Sequence, residues 1–338
     1  MTRAGCVAAL VAWQRSLRGD PLPWLLEPGD PAIRHLAPRE LFDEPADAPS
    51  VRRARAAAMR EPPISSILDG QEAPGYWVKP APAYGPKYTG TVWSLMVLDQ
   101  MGADPRDRRV RRACRYVLEH TQAPNGGFGW SNRDGGVVHC LNGNIPRALI
   151  DFGLLDDPSV RASVDWQARS ITGERFDGYY RWATAGPGFR CAINGAEPCA
   201  WGAIKALRGL AAIPPRRRTR VVRAAIGAGV DLLLSRDPAI ADYPTDTAVS
   251  ANWFRFGFPS GYVADALQNL EVLAELGRAK DPRLGHAIEL VLSKQDPEGR
   301  WRNEHRYRGR LWMDVDPGRG PSKWVTLRAC RVLKATLG

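Results

Sequence analysis

Residues 88 to 128, YTGTVWSLMVLDQMGADPRDRRVRRACRYVLEHTQAPNGGF, line up with residues 262 to 301, YVADALQNLEVLAELGRAKDPRLGHAIELVLSKQDPEGRW, in the same chain. Each copy runs from an apolar helix ending near Gly102 or Gly277 to an Asp-Pro pair, Asp104-Pro105 or Asp281-Pro282. A charged amphipathic helix follows to Gln122 or Gln295, then a Gly-containing turn and an aromatic. Asp caps free helix N–H groups and Pro suits a first helical turn, so the pair reads as a helix start. The Gly before it reads as a helix end.

Looser copies occupy 140 to 173, 199 to 238 and 323 to 338, so that apolar helices begin near 90, 142, 199, 261 and 323. The starts lie about 52, 57, 62 and 62 residues apart, room for two helices and a loop, and such periods belong to stacked or ringed units. One helix of each pair is apolar nearly all round and is expected inside; its partner, charged on one face, is expected outside. The expected fold is therefore all-α, an α/α-toroid of five to six inner and outer helix pairs. Residues 51 to 338 form one repeat domain, its first outer helix at Val51 to Leu68. Residues 1 to 50 form an irregular helical cap with helices at Val7 to Leu17 and Pro31 to Leu41. Long loops rich in Gly, Pro and aromatics (71 to 87, 122 to 139, 173 to 196, 236 to 260, 295 to 321) emerge at the N-terminal ends of the inner helices. Loops of that length are usually functional.

The 338 residues are 44% hydrophobic and 25% charged, which suits a globular protein. No apolar run approaches the roughly 20 residues that span a bilayer, and the N-terminal CVAALVAW lacks a cleavage site, so the expectation is a cytoplasmic protein without a transmembrane segment. The six cysteines are spread thinly, which favours free thiols or a metal site over a disulfide framework. A net charge of +11 is scattered, with concentrations at 216 to 220 and 300 to 310. No nucleic-acid-binding signature accompanies it, so nucleic acid is not the expected partner.

The turns QEAPGYW (71 to 77), QAPNGGF (122 to 128) and KQDPEGRW (294 to 301) share Gln, Gly and an aromatic. They resemble the QW-type repeat of squalene and terpene cyclases, and more broadly the α/α-toroid that those cyclases share with protein prenyltransferase β-subunits and lanthionine cyclases. The resemblance spans roughly residues 51 to 338. It implies an enzyme acting on an isoprenoid or other apolar substrate, with or without a diphosphate, in a central aromatic-lined cavity. A zinc-thiolate enzyme of the lanthionine-cyclase type and a non-catalytic toroid scaffold for a peptide or lipid are the alternatives.

Class II cyclases of this group protonate their substrate with a DxDD motif. The nearest counterparts here are MDVDPG (313 to 318) and YPTDTA (243 to 248), making Asp314 and Asp246 candidate acids; neither is DxDD. Asp265, three residues after Tyr262, is a third candidate. Prenyltransferase β-subunits hold zinc with an Asp-x-Cys pair and a His at inner-helix N-termini. Glu197 and Cys199 would match the pair and His139 the His, with Cys140 or Cys191 as a further ligand. Glu stands in place of Asp, and the helix order is reversed. The lanthionine-cyclase pattern would use Cys140 and Cys199 with His139 or His305. Thiolate, imidazole and carboxylate suit Zn²⁺, whereas unliganded cysteines commonly just pack.

Trp93, Trp201 and Trp324 fall early in the inner helices, and Trp253 and Tyr262 lie in or near the loops. Facing the ring axis, they would offer π-faces to an isoprenoid chain or a carbocation. Arg306 and Arg308 in RWRNEHRYRGR, with Lys323, would grip a diphosphate. Asn142 and Asn144 read as helix caps.

Overall fold

The computed structural model describes residues 12–316, 318 and 320–338; part of the helix expected at Val7 to Leu17 lies outside them. The described residues form helices and a few isolated bridges, with no β-sheet. Among them, six helices face the centre of a ring: α1 (Pro31–Leu41), α4 (Thr91–Gln100), α6 (His139–Asp151), α8 (Ala200–Ala211), α10 (Ala266–Glu275) and α12 (Lys323–Leu337). Outside them lie α2 (Pro49–Ala58) with α3 (Ile64–Asp69), α5 (Arg108–His120), α7 (Pro158–Thr172), α9 (Arg220–Leu234) and α11 (Gly285–Ser293). The ring runs α4, α6, α8, α10, α12 and α1, each packed on the next. It closes where Gly102, just beyond α4, meets Leu36 and His35 of α1.

Periodicity explains the layering. In α4 every residue from Thr91 to Leu98 is buried, as an apolar helix surrounded by protein requires. In α5 the buried set is Val110, Ala113, Cys114, Tyr116 and Val117, one stripe on an arginine-rich helix. The expected outer helix at Val51 to Leu68 is two helices, because Glu61-Pro62-Pro63 removes backbone donors between them. Asp157 caps α7 ahead of Pro158. After Asp104-Pro105, however, a turn intervenes and Asp107 caps α5, its carboxylate accepting from Arg109 N–H at 2.7 Å.

Three turns tie the layers together in the same way. Gln71 and Gln122 each reach a neighbouring helix and Gln295 the turn at Ser16, donating to Arg109 O (2.9 Å), Ser159 O (2.8 Å) and Ser16 O (3.3 Å). The backbone N–H groups of Trp77, Phe128 and Trp301 donate inward to Thr91 Oγ1, Asn142 Oδ1 and Thr326 Oγ1, at 3.0, 2.7 and 3.0 Å. Asn142 is thus a buried tie between layers, also donating to Ser163 O and Gln167 Oε1. The expected capping role is corrected: its amide lies inside the helix, one turn too deep to reach the first N–H groups.

The ring is plugged at mid-height by polar groups. Lys205 of α8, fully buried, donates to Gln268 Oε1 and Val263 O. Next to it Arg328 binds Glu271, Asp265 and Gly257 O. This septum leaves one recess at each end of the ring. No described helix is long and apolar enough to cross a membrane.

Candidate functional site

A cavity of about 280 Å³ opens at the N-terminal ends of α6 and α8. A hairpin delivers its chemistry. Cys191 N–H donates to Glu197 O at 3.2 Å and Cys199 N–H to Phe189 O at 2.9 Å, around a turn in which Gly195 and Ala196 take positive φ. Asn194 holds the hairpin to the next loop, donating to Pro198 O and Pro244 O. Cys199 then starts α8 as its N-cap, the sulfur accepting from Gly202 N–H at 3.3 Å. Cys140, in the first turn of α6, completes a wall of three thiols.

The remaining lining is mostly apolar but includes Asn194, Thr245, Thr247 and Ser250, with Trp201, Tyr243, Trp253 and Tyr262 as its aromatic members. Two turn their polar tips into the protein: Trp253 Nε1 donates to Pro238 O at 2.7 Å and Tyr243 Oη to Leu233 O at 2.6 Å. Burying a polar tip requires such a partner, and what remains toward the cavity is ring surface. Ile193 and Val249, both exposed, extend the apolar rim outward.

The thiols differ in acidity. The Cys199 thiol hydrogen-bonds to Cys191, which stabilises the Cys191 thiolate and lowers its pKa to about 6, while Cys199 is raised by the same bond and by burial. Burial pushes Cys140 up to about 11, despite a hydrogen bond with Tyr262. Cys191 is therefore the thiol of the three that ionises most readily, and thiolate is the nucleophilic form.

Of the expected substrate-binding residues, Trp201, Trp253 and Tyr262 line this cavity. Trp93 does not: it is buried with Tyr84 and Tyr88, touches Tyr262 from behind at 6.0 Å, and donates to Tyr84 O. Trp324 stacks on Phe258 at 4.3 Å and borders the recess at the other end of the ring. Arg306 donates to the carbonyls of Asn303, Asp316 and Gly318, Arg308 lies 3.7 Å from Asp314, and Lys323 pairs with Glu27 at 3.2 Å. None of the three cations lines the thiol cavity.

The expected acids are placed likewise. Asp246 is exposed at the rim. Asp314 accepts from Gly309 N–H. Asp265 is the N-cap of α10, accepting from Gln268 N–H at 2.7 Å and Gly257 N–H at 3.0 Å, and pairs with Arg328. None of the three lines the thiol cavity.

The metal expectation fails on donor geometry. Among the described residues no three His, Cys, Asp or Glu side chains are placed to hold a metal ion. His139 points away from the thiols, its ring bonded to Gly186 O at 3.0 Å and to the Gln167 amide at 2.9 Å, and Glu197 is exposed. The residues present do not fit a zinc centre.

His139 is instead a buried core imidazole packed on Trp166 and Phe189. Burial lowers its pKa from 6.5 to about 4. The unfolded chain takes up this proton near pH 6.5 and the folded chain only near 4, so stability is full above 6.5 and is lost as pH falls toward 4. One such group contributes a loss of roughly 3 kcal/mol. Urea unfolding across pH 7 to 4 is expected to show a His139→Gln variant losing about that much less than the parent; parallel curves would contradict this.

No family model and no curated protein matches the chain. Among solved structures, a protein from Actinoplanes is similar at 16% identity and a TM-score of 0.32, over 83% of this chain and 98% of that one. The type II terpene cyclase MstE from Scytonema is similar at 12% identity and a TM-score of 0.31, over 80% of this chain and 95% of that one. A variant of that cyclase in complex with its substrate, geranylgeranyl dihydroxybenzoate, is similar at 11% identity and a TM-score of 0.30, over 81% and 94%.

Proposed function

We propose that the protein is an enzyme that binds an isoprenoid-type apolar chain in the cavity between α6 and α8, with Cys191 as its nucleophile. The observation that carries this reading is the meeting of a thiol of lowered pKa and ring faces in one small cavity: Cys191 beside Trp201, Trp253 and Tyr262. Ring faces suit a polyene chain, and they attract positive charge that develops on an allylic carbon. In the reacting step Cys191 Sγ bonds to an electrophilic carbon of the chain. The bond from that carbon to its leaving oxygen breaks, and the electron pair departs with the oxygen. Cys199 keeps its proton and supports the thiolate through its hydrogen bond.

The placement of the expected acids favours a second reading, in which the same cavity holds an apolar ligand without turnover, because Asp246, Asp265 and Asp314 do not line it. Alkylation separates both readings from a merely packed cysteine. Iodoacetamide is expected to label Cys191 ahead of Cys140 and Cys199, and farnesol, used as an apolar probe, is expected to slow that labelling. Labelling of Cys191 unaffected by farnesol at saturation would remove the apolar-chain assignment.

A further inference from the structure

The recess at the opposite end of the ring has a different character. The C-terminal ends of α1, α4, α6, α8 and α10 surround a pit of about 300 Å³. Six arginines line it: Arg39, Arg55, Arg147, Arg208, Arg328 and Arg331. Helix C-termini carry partial negative charge, so cations belong there as counter-charges. Three of the six have that role already satisfied by acids. Arg147 lies 2.5 Å from Asp151 and 2.6 Å from Glu275, Arg328 lies 2.7 Å from Glu271, and Arg331 lies 3.1 Å from Glu40.

The other three have no carboxylate within 4 Å among the described residues. Arg39 meets only the ring of His35, at 3.4 Å. Arg55 donates from one terminal nitrogen to Ala103 O at 3.0 Å, while its buried Nε finds no acceptor. Asp99 is the strongest opposing charge on Arg208, whose guanidinium forms no hydrogen bond or ion pair with a described residue. A buried donor without an acceptor costs about 1–3 kcal/mol, more when charged, so such groups call for an acceptor from elsewhere.

Guanidinium forks match phosphate oxygens in geometry as well as charge. A bare anion, however, would also face the negative helix ends and the carboxylates of Glu40, Glu271 and Glu275. A ligand that adds hydroxyl donors meets those acceptors too. Asp99 and Asp151 sit on the same wall. Burial and the neighbouring Asp151 raise the Asp99 carboxyl, so it can donate to a hydroxyl as well as accept from one.

We propose that this pit binds a small phosphorylated polyol, its phosphate on Arg39 and Arg55 and its hydroxyls on the opposite wall, where Arg208 stands beside Asp99 and Asp151. The assignment is independent of the thiol cavity, since the Lys205–Arg328 septum stands between the two.

Titration calorimetry on the full chain tests it with three probes: glucose 6-phosphate, inorganic phosphate and glucose. Glucose 6-phosphate is expected to bind most tightly, and Arg208→Gln and Arg55→Gln each to weaken it at least about 10-fold, the worth of one charged hydrogen bond. Asp99→Asn is expected to narrow the gap between glucose 6-phosphate and phosphate, and Arg208→Lys to retain part of the affinity. Circular dichroism melting confirms that each variant compared is folded. No heat with any probe, or equal affinity in the parent and both folded arginine-to-glutamine variants, would overturn the proposal. So would phosphate binding as tightly as glucose 6-phosphate.

Discussion

An Arg328→Met variant is expected to lose about 3–5 kcal/mol of stability, the range for breaking a buried ion pair by removing one partner. Arg328 is 6% exposed, and its guanidinium reaches Glu271, Asp265 and Gly257 O. The charges of Arg328 and Arg331 hold the Glu271 carboxyl down at about 2 against the cost of its burial. A carboxylate with a lowered pKa contributes stability above its unfolded value near 4.5, and that contribution is lost as pH falls toward 2. Taking away Arg328 leaves Glu271 with Arg331 alone and leaves Asp265 with backbone donors only. Equilibrium urea unfolding at pH 7 measures the cost. Arg328→Met combined with Glu271→Gln is expected to cost less than the sum of the two single changes, because the pair acts as a unit. A single-variant cost under about 1 kcal/mol would show that the septum is not held by this network.

Gly143→Ala is expected to be comparably damaging by a steric route. The backbones of α6 and α8 touch at two glycines. A methyl at Gly143 would stand 2.1 Å from Lys205 O, and one at Gly209 would stand 2.5 Å from Gly143 O. Neither obstacle is a flexible side chain, so the helices themselves must separate. Overpacking a tight core typically costs about 1–3 kcal/mol and occasionally more, and a backbone-to-backbone contact belongs at the upper end, about 3 kcal/mol. The same separation would widen the cavity at the N-terminal ends of these two helices. The expected signature is therefore a lower melting temperature together with altered alkylation of Cys191. Unchanged stability would mean that α6 and α8 do not cross this closely.

The alternation of inner and outer helices is readable in the sequence because the repeat keeps the phase of apolar residues through degenerate copies. Thr91, Asn142 and Thr326 mark how far that legibility extends. All three lie at the inner-helix starts that the repeat locates, yet only the fold reveals that each receives a turn N–H from the outer layer. The site is less legible. Spacing puts Cys140, Cys199 and His139 at neighbouring helix ends, but a helix start does not say which way a side chain turns, and His139 turns toward α7 while Cys140 turns toward Tyr262.

Cys191 is placed by a hairpin that no periodicity encodes. Lys205, Arg208, Glu271 and Arg328 leave a plainer trace, for they are charged residues in helices expected to be buried all round. A charge there must be paired, neutralised or functional. In the sequence, those four charges are the signal that marks both the septum and the arginine-lined pit.

The central claim is that the hydrogen bond from Cys199 makes Cys191 the acidic thiol of an aromatic-lined cavity, and its alkylation rate as a function of pH tests it most directly. Iodoacetamide labelling, located by mass spectrometry, is expected to rise through a midpoint near the pKa of about 6, and a Cys199→Ala variant to move that midpoint upward toward the ordinary thiol value of roughly 8.5. A parent midpoint already at the ordinary thiol value, unmoved in Cys199→Ala, would contradict the account.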